Sequence, residues 1–320
     1  MAILAAVAAA ETPRPDSGAR EWEITYRATV TDIPAGAHSF RVWLPLPRDD
    51  QRQTVSSIEV DAPLAHRRVI DPEYGNRLLQ FEAERDVPNS MAITMTVVVR
   101  REPGLPILPA DTSLVLEARL ARFLAPDSLV PVTGTIADLT RSVTEGLSDD
   151  RACAEAIYAY VLRTMRYDKS GTGWGRGDAL FACDERRGNC TDIHSLLIGM
   201  ARSAGIPARF VMGFSVPTGA SEGTIAGYHC WADLYLAGSG WVPVDASEAI
   251  KNPALADYYF GRLDPDRVAF TIGRDIRLGD EDDAPRVNYL IYPHVQIDGR
   301  EEAATVRWEV TYRRRPAALD

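Results

Sequence analysis

The chain has 320 residues, of which 46% are hydrophobic and 25% charged, with a formal net charge of −10. That length suggests about two domains, and the balance excludes a globally disordered chain. The acidic excess disfavours a nucleic-acid partner, whose phosphates need clustered Lys and Arg. No apolar run reaches the roughly 18–20 residues of a membrane-spanning helix. The four cysteines, Cys153, Cys183, Cys190 and Cys230, are too few for a disulfide scaffold and form no CxxC pair.

Residues 1–10, MAILAAVAAA, end in three alanines and lead into a polar stretch. This is the pattern of the last part of a secretory signal with its small-residue cleavage site, although the basic segment that opens such signals is missing. Export to the periplasm or beyond is the expectation for segment 1–21. A disordered tail on a cytoplasmic protein is the alternative.

From Trp22 to about Arg101 the pattern is β. Trp22–Val30 alternates large and polar residues, the period of a half-buried strand. Phe40–Leu44 repeats the signal and Pro45 and Pro47 end it. Ser57–Val60, Arg77–Glu82 after a turn at Glu73–Asn76, and the β-branched run Met91–Arg100 complete a set of short strands. Residues 22–102 therefore read as a β-sandwich-like domain. A connector follows over 103–130, punctuated by proline from Pro103 to Pro109, and a catalytic segment is assigned to 131–320.

In that segment Ala152–Met165 has helical periodicity, and Tyr167–Asp178 is a loop with four glycines. A second helix starts near Cys190, with Ile193, Leu196, Leu197 and Met200 on one face, and stops at Gly205 and Pro207. Strands are expected at Ala208–Val216, Tyr228–Leu236 and Trp241–Asp245, the last two joined by a turn at Ala237–Gly240. Two further strands, Tyr289–Ile297 and Thr305–Arg313, are counted with the catalytic segment. The fold class expected is α+β.

Three segments suit one mechanism. Cys190 lies where the loop Arg187-Gly188-Asn189 meets a helix, and unpaired N–H groups and the helix dipole lower a thiol pKa there. The alternative is a small buried residue. His229, on a strand, could hold the thiolate as an ion pair and protonate a leaving group, or be a hydrogen-bonded structural histidine. Asp245, at the end of the next strand of the hairpin, could accept the Nδ1–H of His229, or be a strand-end cap. Antiparallel pairing can bring those two residues together.

The stretches GNCTDIHSLLIGMARSAGIPARFVMGF, GYHCWADLY and GWVPVDASEA, within about Tyr158–Ala249, resemble the transglutaminase-like superfamily, in its order Cys, His, Asp. The N-terminal strands resemble the β-domain of bacterial members only loosely. The resemblance implies a papain-like core with Cys190 as nucleophile, His229 as base and ion-pair partner, and Asp245 as orienting acid. It also nominates Trp174 as an oxyanion-hole indole donor beside the Cys190 backbone N–H, with a packing anchor as the equal alternative. Asn189 is a weaker candidate, or simply shapes the turn. His194, four residues past Cys190, packs against or borders the site. Cys230 is expected on the far face of its strand, and Tyr228 and Trp231 flank a groove or fill the sheet core.

No cofactor is implied. Cys183, Cys190, His194, His229 and Cys230 match no common zinc spacing, and no Asp-rich calcium loop is present. Asp280–Asp283 reads as a solvated loop, and Arg313–Arg315 is too short to mean nucleic acid. The expected function is thiol acyl transfer on a peptide or glutamine-type amide through a thioester, with hydrolysis ahead of transamidation. The alternatives are a protein-glutamine transamidase and a non-catalytic peptide-binding module. The partner is a protein or peptide substrate, and the oligomeric state is open.

Overall fold

The alternation along the first strand sets one layer of the protein. In the computed structural model, which describes residues 18–103, 120–281, 284–301 and 303–316, β1 (Arg20–Thr31) buries Trp22, Ile24, Tyr26, Ala28 and Val30 and turns the residues between them outward. The period of two is what a sheet with one face on a core requires. Then come β2 (Phe40–Pro45), β3 (Gln53–Asp61), β4 (His66–Ile70), β5 (Arg77–Ala83) and β6 (Met91–Arg101). β4 has no counterpart among the expected strands, because only Val69 of its five residues is buried and no alternation marks it.

The central part contains α1 (Thr135–Val143), α2 (Asp150–Thr164), β7 (Arg166–Tyr167), α3 (Ala179–Glu185), β8 (Arg187–Gly188) and α4 (Cys190–Ser203). Next are β9 (Ala208–Ser215), β10 (Glu222–Thr224), β11 (Tyr228–Leu236), β12 (Gly240–Val244), α5 (Ala246–Lys251) and α6 (Ala256–Tyr259). The last strands are β13 (Arg267–Ile272), β14 (Ile276–Arg277), β15 (Arg286–Val287), β16 (His294–Ile297) and β17 (Thr305–Arg315). α4 carries the buried face of the core: every residue from Cys190 to Arg202 is buried. It packs on β11 and β9 of an antiparallel sheet ordered β12-β11-β9-β13. The architecture is α+β.

Two differences from the sequence reading matter. First, the C-terminal strands do not extend the β12-β11-β9-β13 sheet. β17 pairs antiparallel with β1 from Glu21↔Arg315 to Thr31↔Thr305, in a sheet ordered β10-β17-β1-β6-β3. β16 pairs with β2 in the second sheet, ordered β16-β2-β5-β4. The chain end thus completes the N-terminal sheets, a pairing too distant in sequence to leave a local signal. Second, the strand expected over Tyr289–Ile297 shrinks to His294–Ile297, and its earlier residues wrap beside the candidate site. Segments 1–17 and 104–119 and the pair Asp282 and Asp283 lie outside the described residues, so the signal-like segment, most of the connector and half of the acidic run do too. No described helix is long and apolar enough to cross a membrane.

The free edge of β13 is covered by two amide side chains from the N-terminal sheets. Gln53 Nε2 donates to the Ala269 carbonyl and its Oε1 accepts the Ala269 N–H, both at 2.8 Å. Asn76 does the same at Ile272, with both bonds 2.8 Å. Each amide imitates a neighbouring strand, which satisfies backbone groups that would otherwise be buried without partners. Trp22 Nε1 donates to the Pro265 carbonyl and Tyr26 Oη to that of Ile291, tying β1 to the same region.

Candidate active site

Asn189 caps α4. Its side chain accepts from the N–H of Thr191 and of Asp192, while the Asp192 carboxylate accepts the Asn189 N–H at 3.0 Å. This reciprocal box fixes the first turn and places Cys190 at its first helical position, where the helix dipole favours a negative sulfur. Asp192 also accepts the N–H groups of Gly175 at 2.7 Å and Gly177 at 2.9 Å, so one carboxylate ties the glycine loop to the start of the helix. Gly177 has φ +68°, and a β-carbon there would stand 2.6 Å from Thr191 Cγ2, so only glycine suits the loop's approach to the helix.

β11 carries His229 beside Cys190, and Asp245 follows β12 as the cap of α5. His229 Nε2 lies 2.7 Å from Asp245 Oδ2. The nitrogen facing the carboxylate is therefore Nε2 and not the expected Nδ1, which leaves Nδ1 for the thiol. Asp245 is fully buried, and its Oδ1 accepts from Ser247 Oγ at 2.9 Å and from the Glu248 N–H at 3.0 Å. Cys190 is 3% and His229 6% exposed.

Arg267, on β13, was not singled out by the sequence. Its Nη2 donates to Asp245 Oδ2 at 3.2 Å, and its Nη1 to Ser215 Oγ at 2.6 Å and Asp264 Oδ1 at 3.4 Å. The available signal was an arginine opening an apolar run, a position that needs a buried partner. Gly213, opposite His229 on β9, allows β13 to approach; a β-carbon there would be 2.0 Å from the Val268 carbonyl oxygen.

The electrostatics follow from these contacts. A side-chain hydrogen bond from Cys230 lowers the Cys190 thiol pKa, burial opposes it, and His229 adds to the lowering, leaving the thiol well below its ordinary range. Burial disfavours charge on His229, but Asp245 outweighs it and lifts the imidazole to about 9. Burial likewise opposes the Asp245 charge, and His229 and Arg267 outweigh it, so the carboxyl stays well below the usual range. An imidazolium between a thiolate and a carboxylate is the charge state these shifts describe.

The other singled-out residues separate clearly. Trp174 is half-buried and donates its indole N–H to the Gly171 carbonyl at 3.2 Å, within its own loop. His194 is fully buried, with Nδ1 2.7 Å from the Cys190 carbonyl and Nε2 accepting the Ala246 N–H at 3.1 Å. Those two bonds define a neutral ring protonated at Nδ1, and burial lowers its pKa. Cys230 is not on the far face: its Sγ lies 4.0 Å from Thr191 Oγ1 and 3.8 Å from His194 Nδ1, against α4. Tyr228 Oη accepts from Asn189 Nδ2 at 2.9 Å and lies 2.7 Å from Thr191 Oγ1, and its ring packs on Tyr289 and Tyr292. Trp231 is buried in the sheet, and all four cysteines are free.

An antiparallel sheet that carries His229 and leads into Asp245 packs on a helix that starts at Cys190. Residues 137–246 match the model of the transglutaminase-like superfamily core. Among relatives, an uncharacterised Haemophilus influenzae protein is 26% identical over 327 aligned residues, spanning 90% of this chain and 88% of its own. An uncharacterised Mycobacterium leprae protein is 29% identical over 234 residues, 69% of this chain and 81% of its own. A solved structure from Cytophaga hutchinsonii, provisionally described as a cysteine protease, superposes with a TM-score of 0.63 at 16% identity, covering 95% of this chain and 93% of that one. The likeness to it is one of fold, and it extends over the β-rich part as well as the core.

Proposed function

We propose that the protein is a cysteine-dependent acyl-transfer enzyme that hydrolyses a peptide or glutamine-type amide. The observation that carries this reading is the 2.7 Å contact between His229 Nε2 and Asp245, beside a cysteine at a capped helix N-terminus. The Cys190 thiolate attacks the amide carbonyl, and the Cys190 N–H, at the start of α4, faces the developing oxyanion. His229 gives its proton to the departing amine or ammonia, and a thioester remains. Water, deprotonated by His229, attacks the thioester; the collapsing intermediate expels the sulfur and releases the acid. Asp245 holds the ring throughout, and Arg267 holds Asp245.

The narrow access supports water as acceptor. With Cys190 3% and His229 6% exposed, water is the acceptor least restricted in reaching the thioester. The test is a panel of peptides and glutamine donors, with and without a primary amine, against the Cys190→Ala variant. Release of acid that depends on Cys190 supports hydrolysis. Amine incorporation that outruns acid release would make it a transamidase, and turnover that survives Cys190→Ala would end the thiol reading. We propose export as well, on the apolar pattern of residues 1–10; cell fractionation and the N-terminal sequence of the mature protein test that.

A further inference from the structure

Tyr228 is the residue before His229, and its hydroxyl meets the two residues that flank Cys190. Asn189 Nδ2 donates to Tyr228 Oη at 2.9 Å, and Thr191 Oγ1 lies 2.7 Å from the same oxygen. The proposed reaction gives this phenol no task. Asn189 and Thr191 are buried, where polar groups are costly without partners. The Thr191 methyl is turned toward Gly177, and its hydroxyl is the part that meets the phenol. Tyr228 is anchored behind as well. Its backbone N–H donates to Tyr292 Oη at 3.2 Å, its ring meets the Tyr292 ring edge-on at 5.7 Å, and Tyr292 stacks on Trp308 of β17.

We propose that Tyr228 is a positioning residue: its hydroxyl clamps the first turn of α4 to the strand that carries His229, and so fixes the Cys190 sulfur against the imidazole. This inference rests on the reading of Cys190 as nucleophile. The capping box holds the turn internally, through Asn189 and Asp192, but does not tie it to β11. The two bonds to the phenol supply that tie, whereas Cys230 Sγ approaches Thr191 Oγ1 only to 4.0 Å. Tyr228 and His229 are consecutive, so a slip of the turn past the phenol is a slip of sulfur past imidazole. A misplacement of about 1 Å at a reacting centre can cost roughly 10²-fold in rate. Burial and the Cys190 charge raise the Tyr228 pKa, so the hydroxyl keeps its proton while the thiol titrates. The other titratable groups around Cys190 and the phenol are His229 and Cys230 on β11, His194 and Asp192 on α4, Tyr167 on β7, and Tyr289 and Tyr292. The substitutions below alter none of these.

The experiment measures iodoacetamide alkylation of Cys190 against pH, by peptide mapping, beside urea unfolding. The full-length chain is compared with its Tyr228→Phe, Thr191→Val and Thr191→Ser variants and with the double variant of Tyr228→Phe and Thr191→Val. Tyr228→Phe should raise the alkylation midpoint by about 0.5–1 pH unit. Thr191→Val keeps the methyl and loses the hydroxyl, and should raise it too. Thr191→Ser keeps the hydroxyl and should stay near the parent; a packing role predicts the reverse order. The double variant should shift no further than Tyr228→Phe, because the two hydroxyls act as one contact. An unchanged midpoint in Tyr228→Phe, even with a lowered urea midpoint, overturns the proposal. So do shifts that add in the double variant, or a Thr191→Ser shift as large as that of Thr191→Val. If Tyr228→Phe does not fold, the two Thr191 variants decide by the same readings. A parent chain with no Cys190 thiolate below about pH 8 would instead defeat the nucleophile reading itself.

Discussion

His229 Nε2 stands 2.7 Å from Asp245 Oδ2, and the same oxygen accepts from Arg267 at 3.2 Å. One buried carboxylate therefore orients the imidazole, balances two cations and, through Oδ1, caps α5. These tasks separate under substitution. Asp245→Asn keeps a residue able to cap a helix but removes the charge that supports His229. Turnover should fall by about 10⁴-fold, the loss that follows when the orienting acid of a triad becomes an amide. Breaking a buried ion pair should also cost roughly 3–5 kcal/mol, read from urea unfolding at neutral pH. The native Asp245 pKa is depressed, so its stabilisation is present above the unfolded value of about 3.9 and fades as pH falls through the native one. The stability gap between variant and parent should close in acid. Full turnover in Asp245→Asn would remove Asp245 from the mechanism.

On the proposed mechanism, the alkaline side of the activity profile should follow the titration of His229. Its native pKa of about 9 lies above the unfolded value of about 6.5. The stabilisation from its charge is complete below the unfolded value and is lost as pH rises through about 9. The proton needed by the leaving group is lost over the same range, so kcat/KM should decline near pH 9 while the thiolate persists. His229→Ala should abolish turnover and raise the Cys190 alkylation midpoint. An alkaline limb that survives in thiol alkylation but has no counterpart in turnover would assign the proton to another group.

Asp192 tests how the glycine loop is fixed. Its carboxylate accepts N–H groups from Gly175, Gly177 and Asn189. Asp192→Asn removes the charge and one acceptor oxygen, and about 1–3 kcal/mol of stability should go with them. The Gly175 and Gly177 amides should exchange with deuterium faster, and protease should cut more readily across 171–178. Unaltered exchange would shift the holding role to Arg274, which donates to the Gly177 carbonyl at 3.1 Å, and to Tyr289, which donates to that of Gly175 at 3.3 Å.

What the sequence disclosed follows from the range of each interaction. Cys190, His229 and Asp245 sit in segments whose local pattern announces a capped helix and a hairpin, and those elements bring them together. Arg267 lies 22 residues past its partner Asp245, on a strand whose six residues are all buried and so show no alternation. The nitrogen that faces Asp245 depends on ring orientation, which spacing does not encode. The return of β17 to β1 spans nearly the whole chain. Residues 289–293 were expected as strand, yet Tyr292 Oη there accepts the Tyr228 N–H at 3.2 Å, and its ring stacks on Trp308 of β17 at 4.1 Å. Tertiary contacts decided that segment over its apolar, tyrosine-rich composition.

Gln53 and Asn76 make the N-terminal sheets part of the catalytic sheet's integrity. Each amide satisfies both backbone groups of one β13 residue, and β13 presents Arg267 to Asp245. Gln53→Leu and Asn76→Leu each strand a buried N–H and C=O, at roughly 1–3 kcal/mol per unsatisfied group. Both variants should lower the urea midpoint. The double variant should also loosen β13, so that turnover falls in the folded protein and the His229 alkaline limb moves, because Arg267 no longer stands firmly against Asp245. If the double variant loses stability but keeps both rate and pH profile, the amides secure the domains to each other without setting the site. A rate loss with a shifted limb would instead tie the β-rich region to the chemistry through one strand edge.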